Sequence, residues 1–423
     1  MEEYNKYIML KQLFKAKFKG YKLNKLLAII FISDCYGHIK MSEPTIKEIV
    51  KSFFYVENYR NLKNVLSHNG VILSQAKWKR NDYRELVYLM GSSMKGSLIF
   101  DYEFNKVKKL RINIILVSII QVVFYLRKEY SFRQLLFLAT KITEIKYKLI
   151  EVDKYAKKAK IKGFIAFNSS IFDDALLCSV LKRYGIDTFS LQHGYYSIYN
   201  NKIPLDIINY ENLIADKLLC WGQSTYENML SFGIKENRLT VLGNPRIKFS
   251  EKFNLIETNF KRCLVLLGRD IYHESNIKLL EIISEINKIS GEEFLLKLHP
   301  TLRVKKLENK YSGKFKIIKD VISVKEALNL YNCDMAFSNN TSAFFDALIQ
   351  GVICFRFTKY ENEDFGETIF KFEDVNDYYK LKEYILSKST RSIENIVFDS
   401  LKYNFCDNFT KNIYKLNSNL LLK

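Results

Sequence analysis

Thr188-Phe-Ser-Leu-Gln-His-Gly-Tyr-Tyr196 is the stretch on which the fold is decided. A short run of strand-forming residues stops abruptly on Gln192-His193-Gly194 and gives way to a polar, aromatic loop. Upstream, Gly163-Phe-Ile-Ala-Phe167 reads as a buried strand, Asn168-Ser169-Ser170 as a turn, and residues 173–183 as a helix ending near Gly185. Downstream, Lys217-Leu-Leu-Cys-Trp221 is the next strand, residues 224–232 a helix closed by Gly233, and residues 239–242 a strand ending on Gly243-Asn244-Pro245. Strands alternating with helices predict a parallel sheet. In such sheets ligands gather beyond the carboxyl ends of the strands, which is where His193 falls.

The same alternation resumes after residues 246–261, a charged stretch that reads as an interdomain connection. Cys263-Leu-Val-Leu-Leu267 leads into Gly268-Arg269-Asp270, and a helix is expected over about 275–289. Residues 294–298 form a strand ending on His299-Pro300, residues 316–318 an edge strand, and 324–331 a helix. Asp334-Met-Ala-Phe337 feeds Ser338-Asn-Asn-Thr-Ser342 and a helix from about Ala343. Residues 352–355 close the series, and helices at 376–388 and 400–422 finish the chain. The expected class is α/β, with two Rossmann-like domains facing a cleft.

At 423 residues the chain exceeds one ordinary core, and 48% hydrophobic residues make it globular. Seven cysteines occur singly, without metal-ligand spacing, and read as buried thiols in a reducing compartment. Met1-Glu-Glu-Tyr-Asn-Lys carries no secretory pattern, so a cytoplasmic location is expected. The net charge of +20 is concentrated: residues 1–160 hold 31 Lys and Arg against 14 Asp and Glu. That basic third, largely helical to about residue 155, suits an anionic lipid surface, a polyphosphate or nucleic acid, or is a solvated lysine-rich face. Residues 71–74 and 97–100 within it could be short strands. Residues 106–126 join a basic head to an apolar helix flanked by Arg127 and Lys128. They read either as a helix touching a membrane surface or as a core helix with charged ends.

The chemistry-bearing residues follow predicted strands: His193-Gly194, Gly243-Asn244-Pro245, Gly268-Arg269, His299-Pro300 and Asn340-Thr341-Ser342. Three of the five histidines, His193, His273 and His299, lie in or near these turns. Asn340-Thr341-Ser342 at a strand-to-helix turn offers hydroxyls and free N–H groups to an anion, or is an ordinary helix cap. Arg269 and His299 can donate to phosphate. No G-x-G-x-x-G follows a strand, and neither G-x-x-x-x-G-K-[ST] nor G-x-S-x-G occurs. No D-x-D stands at a strand end, so no metal and no cofactor is expected.

The order Leu-Gln-His193-Gly, Leu-His299-Pro and Asn-Thr-Ser342-x-x-x-Asp346, on two α/β domains with a long C-terminal helix, resembles GT-B glycosyltransferases. It is similar to CDP-glycerol glycerophosphotransferases and to capsule or lipooligosaccharide transferases that use CMP-sugars. The resemblance spans about residues 160–360. It implies an acceptor-side domain over 1–250 (1–155 basic and largely helical, 156–250 α/β), a nucleotide-donor domain over 251–395, and a helix over 396–423 packing back on the first. It further implies His193 as the base, with Gly268, Arg269, His299, Pro300, Asn340, Thr341, Ser342 and Asp346 on the donor side. Gln192, Gly194, Tyr195 and Asn244 fall on the acceptor side. The usual Ser-Ser pair is Thr341-Ser342 here, and the acidic base motif of sialyltransferases is not evident. Expected partners are a nucleotide-activated donor, a glycan or lipid-linked acceptor and an anionic membrane surface at the inner face of the cell membrane, but no nucleic acid. A UDP-sugar glycosyltransferase, a non-hydrolysing UDP-sugar 2-epimerase, and a non-enzymatic basic adaptor for membrane or nucleic acid are the alternatives.

Overall fold

The computed structural model describes residues 1–41, 43–57, 59, 61–77, 80–102, 106–109, 111–247, 254–299, 302, 311, 313–318, 322–366 and 368–421. Two six-stranded parallel sheets carry the fold. In the first, Leu239–Val241, Lys217–Cys220, Thr188–Leu191, Gly163–Ala166, Val71–Ser74 and Leu98–Phe100 lie side by side. In the second the order is Lys316–Ile318, Glu293–Lys297, Arg262–Leu266, Met335–Ser338, Ile353–Phe357 and Lys371–Phe372. Numbered along the chain, the second sheet runs 3-2-1-4-5-6 and the first 2-1-3-4-5-6, the two common doubly wound orders. The architecture is therefore two Rossmann-like domains in a GT-B-like arrangement.

Strand positions with opposite parity feed two different cores. Val71, Leu73, Ile165, Phe189, Leu191 and Leu219 join the apolar cluster that continues through the second domain. Ile72, Phe164, Ala166, Leu218 and Cys220 point the other way, into a cluster with the N-terminal helices. Burial on both faces is why these strands read as near-continuous apolar runs instead of alternating ones. Two of the first sheet's strands lie inside the stretch read as largely helical, at the two places where short strands were conceivable. Around them pack helices Glu2–Leu13, Ala28–Cys35, Ile112–Leu126 and Phe132–Ala156.

The chain crosses between the domains again near its end. Where the sequence reads one helix over 400–422, there are two, Thr390–Phe405 and Phe409–Leu421, broken at Cys406, whose φ is +47°. Polar residues Asp407 and Asn408 fill the turn that this left-handed residue opens. The first of these helices ends against Gly222, and the second lays Leu420 on Gly163 of the first sheet. At Gly222 a Cβ would drive into the Asn404 carbonyl and the Phe405 amide, both backbone and unable to yield. Gly222→Ala is expected to cost about 1–3 kcal/mol through overpacking. It should lower the denaturant midpoint and expose residues 390–421 to limited proteolysis; an unchanged midpoint would show that the helix does not depend on this contact.

Candidate functional site

Between the carboxyl ends of the two sheets lies a cleft of about 460 Å³. The first sheet supplies His193, Gly194, Tyr195, Trp221, Asn244 and Arg246, and the second supplies Arg269, His299, Asn340, Thr341, Ser342 and Asp346. Ten residues picked from the sequence thus share one cavity. Three do not line it or cannot be placed. Gln192 lies beneath the floor with every side-chain bond used: its Oε1 accepts from the Trp221 amide (2.6 Å), and its Nε2 donates to the Gly194 carbonyl and Thr225 Oγ1 (both 2.9 Å). It shapes the turn that presents His193 and is not an acceptor contact. Gly268 is also internal, because a Cβ there would sit 2.6 Å from the Asn339 carbonyl oxygen. Pro300 falls outside the described residues.

His193 is walled by aromatic rings, with Phe167 at 4.9 Å and Tyr83 and Tyr196 at 5.9 Å between centroids. Burial pushes its pKa down to about 4, against the opposing pulls of a bond to the Leu191 carbonyl and of the Asp206 carboxylate. His299 is likewise held near 4, first by burial and then by Arg269, Arg80 and Lys297. Both imidazoles are neutral at pH 7. Neutral His193 can accept a proton; His299, neutral, can donate a single N–H from whichever ring nitrogen carries it.

Arg269 differs most from its sequence reading. Its guanidinium forms ion pairs with Asp206 of the first domain and Glu363 of the second. Burial alone would lower its pKa, but these two carboxylates overcome that and hold it above its ordinary value. Its charge is already neutralised, so it is not the open phosphate donor the sequence suggests. Asn340 is similarly committed. In a left-handed conformation (φ +45°), its Oδ1 accepts from the amides of Asn362 (2.6 Å) and Glu363 (3.0 Å), while its Nδ2 donates to Ser275 Oγ (3.0 Å). Tyr195 stacks on Phe345 (4.8 Å) and donates to Asn404 Oδ1 (2.6 Å), which makes it a strut between domains as well as a cleft wall.

Among the described residues that line the cleft, Arg246, missed in the sequence reading, is the cation left without a carboxylate partner. Its guanidinium lies 5.1 Å from the Trp221 ring centroid, and its backbone N–H is fixed by Asn244 Oδ1 (3.1 Å). Among the described residues no carboxylate is within ion-pair distance of it. Its position just after Gly243-Asn244-Pro245 was the available signal. Arg80, also missed, is tied to Asp82 (2.6 Å) and stacked on Tyr83 (4.1 Å). Thr341 Oγ1 accepts from the Ala343 amide (3.3 Å), whereas Ser342 is exposed and makes no side-chain capping bond. Asp346 opens on the same cleft, and burial raises its carboxyl's pKa against the pull of Arg246 and Lys297. His273 instead opens helix His273–Ser290 and does not line the cleft.

A second cavity, of about 300 Å³, lies beyond the strands Val71–Ser74 and Gly163–Ala166, where the order of the first sheet reverses. Lys148 sits at its wall with Glu57 (2.5 Å), Asp173 (2.9 Å) and Glu144 (3.0 Å). The catalytic candidates are thus not at the first sheet's switch point, although Gly268 and Asn340 do flank that of the second.

No protein-family model and no curated protein matches the chain. Among solved structures it is similar to the UDP-GlcNAc 2-epimerase of Methanocaldococcus jannaschii in complex with UDP-GlcNAc and UDP, at 18% identity over 82% of this chain and 99% of that one, TM-score 0.47. It is also similar to S. aureus MnaA bound to UDP (8% identity, 84% and 98% covered, TM-score 0.49). A third is the lipopolysaccharide outer core galactosyltransferase WaaB (11% identity, 82% and 99%, TM-score 0.48). The architecture stated above rests on the two sheets and the cleft between them.

The depressed histidine pKa values have a stability consequence. Between pH 6.5 and about 4 the unfolded chain takes up protons that folded His193 and His299 refuse, so stability rises with pH across that window and is lost as pH falls through it. His193→Ala/His299→Ala should flatten the dependence of the thermal midpoint on pH between 6.5 and 4.5 relative to the parent. An equal slope in both proteins would mean that these rings titrate normally.

Proposed function

We propose that the chain is a metal-independent GT-B transferase. It moves a sugar, or a polyol phosphate, from a nucleotide-activated donor, CMP- or CDP-linked, to a growing cell-surface glycan or lipid-linked acceptor. The observation that carries this reading is one juxtaposition. A neutral imidazole at the end of the first sheet shares a cleft with a cation, a second imidazole and two hydroxyls: Arg246, His299, Thr341 and Ser342.

Each part has a role in a displacement. His193 accepts the proton of the acceptor hydroxyl as its oxygen forms the new bond to carbon, or to phosphorus for a polyol phosphate. The bond to the leaving nucleotide breaks with its electron pair passing to the phosphate oxygen. Arg246, the hydroxyls of Thr341 and Ser342, and an N–H of His299 stabilise that charge, the service a metal gives elsewhere. Arg269 holds Asp206 and Glu363 in place, and a donor phosphate would have to displace a carboxylate to reach it. For a sugar donor, single displacement inverts the anomeric centre. The site of action would be the cytoplasmic face of the cell membrane, where lipid-linked acceptors are displayed.

Nucleotide binding tests the donor half. In a thermal-shift panel of CMP, CDP, UDP and GDP, the cytidine compounds should give the largest rise. A uridine preference would redirect the reading to a UDP-sugar enzyme, and silence from all four would end it. Arg246→Ala should weaken nucleotide binding about tenfold, the loss of one charge-assisted contact. His193→Ala should leave binding within a few-fold and cut turnover by about 10²–10⁴. Product formed from a UDP-sugar with no acceptor present would identify an epimerase. Unaltered turnover in His193→Ala would remove the base from this scheme.

A further inference from the structure

Helix Ile112–Leu126 has two apolar faces, and only one is covered. Inward, Ile114, Ser118, Val122 and Leu126 are buried against helix Phe132–Ala156, where Lys146 donates to Ser118 Oγ (3.0 Å). Tyr125 packs edge-on against Phe14 at 5.5 Å. This seam is an ordinary core contact and fixes the helix in place. Outward, Ile112, Leu116, Val117, Ile120 and Phe124 are between 45% and 74% exposed. At 3.6 residues per turn they fall within an arc of roughly 140°. Phe132, also exposed, extends the patch past the turn into the next helix.

The rim of this patch is cationic. Lys108, Arg111, Arg127 and Lys128 are exposed around the helix ends. Lys15, Lys17 and Lys19 are exposed in the loop whose Lys17 carbonyl accepts from Gln121 Nε2 (3.4 Å), alongside the middle of the helix. From residue 106 to 133 the sequence has seven Lys and Arg and a single acid, Glu129.

We propose that this face docks on an anionic lipid bilayer, with the helix lying in the plane of the interface. Apolar side chains bordered by cations match acyl chains beneath anionic headgroups. Spanning is excluded by length: 15 residues reach about 22 Å, against about 30 Å of hydrocarbon. Among the described residues no helix is long and apolar enough to cross a membrane. A second copy of the chain is disfavoured, because a two-fold contact through this patch would set the lysine rim against itself. The inference rests on the proposed function only in explaining why the enzyme would sit there, beside lipid-linked acceptors. The docking surface stands on its own residues.

The test is co-sedimentation of the full chain with phosphatidylglycerol–phosphatidylcholine vesicles and with phosphatidylcholine alone, at low and high salt. Binding should require the anionic lipid and fall as salt shortens the Debye length from about 10 Å at 0.1 M. Leu116→Ser/Ile120→Ser/Phe124→Ser should reduce partitioning at least about tenfold. Lys15→Glu/Lys17→Glu should do so as well and weaken the salt dependence. All these side chains are exposed, so the thermal midpoint and the nucleotide-induced shift should stay at parental values, which separates a failure here from a failure of the transferase reading. Equal binding to phosphatidylcholine, or undiminished binding of the triple variant, overturns the proposal. So does conversion of a parental dimer to monomer by the triple variant in light scattering, which would assign the face to a second copy.

Discussion

One asparagine side chain ties the two halves of the cleft together. Asn362 Oδ1 accepts from the amides of Asn201 (2.9 Å) and Lys202, and its Nδ2 donates to the Lys202 carbonyl (2.6 Å). Those partners belong to the first domain and Asn362 to the second. Its own amide is held by Asn340 Oδ1, so the link runs straight to the strand end that carries Thr341 and Ser342. The neighbouring residues pair as a short antiparallel ladder, Glu363 with Tyr199 and Asp364 with Ile198. Two parallel sheets have no ladder bonds to offer one another, so their relative placement depends on connections of this kind and on the helix that returns across Gly222. Asn340 is the junction, and its left-handed backbone is tolerable because asparagine accepts that conformation better than most residues.

This stitching also sets the electrostatics. By bringing Asp206 and Glu363 to one guanidinium, it removes Arg269 from the pool of free cations. Among the described lining residues it leaves Arg246, steadied by Trp221 and Asn244, able to meet an anion. The first domain's own rings, Phe167, Tyr83 and Tyr196, surround His193, and burial keeps that imidazole neutral. An incoming phosphate would favour the protonated forms of both histidines, so anion binding and proton uptake at the site are coupled by charge alone.

The sheets were legible because strands buried on both faces leave short, dense apolar runs, and because their ends are marked by residues that cannot continue a strand. Ser338-Asn-Asn-Thr-Ser342 and Gln192-His193-Gly194 were found in this way, as was the turn at Gly268. What a strand-end residue bonds to was not legible. Gln192, Asn340 and Arg269 look like ligand contacts in sequence, yet their polar atoms are consumed by partners up to 94 residues away, as with Arg269 and Glu363. Arg246 directly follows the strand-end turn Gly243-Asn244-Pro245, but it also opens the charged stretch 246–261, and that charge masks the signal of the turn. The helix at 112–126 was ambiguous for a related reason: composition reports how apolar a helix is, and only packing reports how many of its faces are covered.

The position of the cleft on the first sheet follows from the same cross-domain contacts. Topology alone would favour the reversal between Val71–Ser74 and Gly163–Ala166, where diverging connections open a crevice. That crevice exists, but helix Phe132–Ala156 lines it with Lys148 and Glu144, and Lys148 is paired there with Glu144, Glu57 and Asp173. The cleft shared with the second domain instead opens beyond Thr188–Leu191, Lys217–Cys220 and Leu239–Val241, on the side where Tyr199, Tyr195 and Gly222 receive the other domain. In the second sheet the reversal, between Arg262–Leu266 and Met335–Ser338, is where Gly268, Arg269, Asn340, Thr341 and Ser342 stand. The helical N-terminal layer therefore does more than add basic surface. By lining the first sheet's own crevice with a lysine already paired to three carboxylates, it keeps that cavity apart from the interdomain cleft, where His193 can meet a ligand held by the second domain.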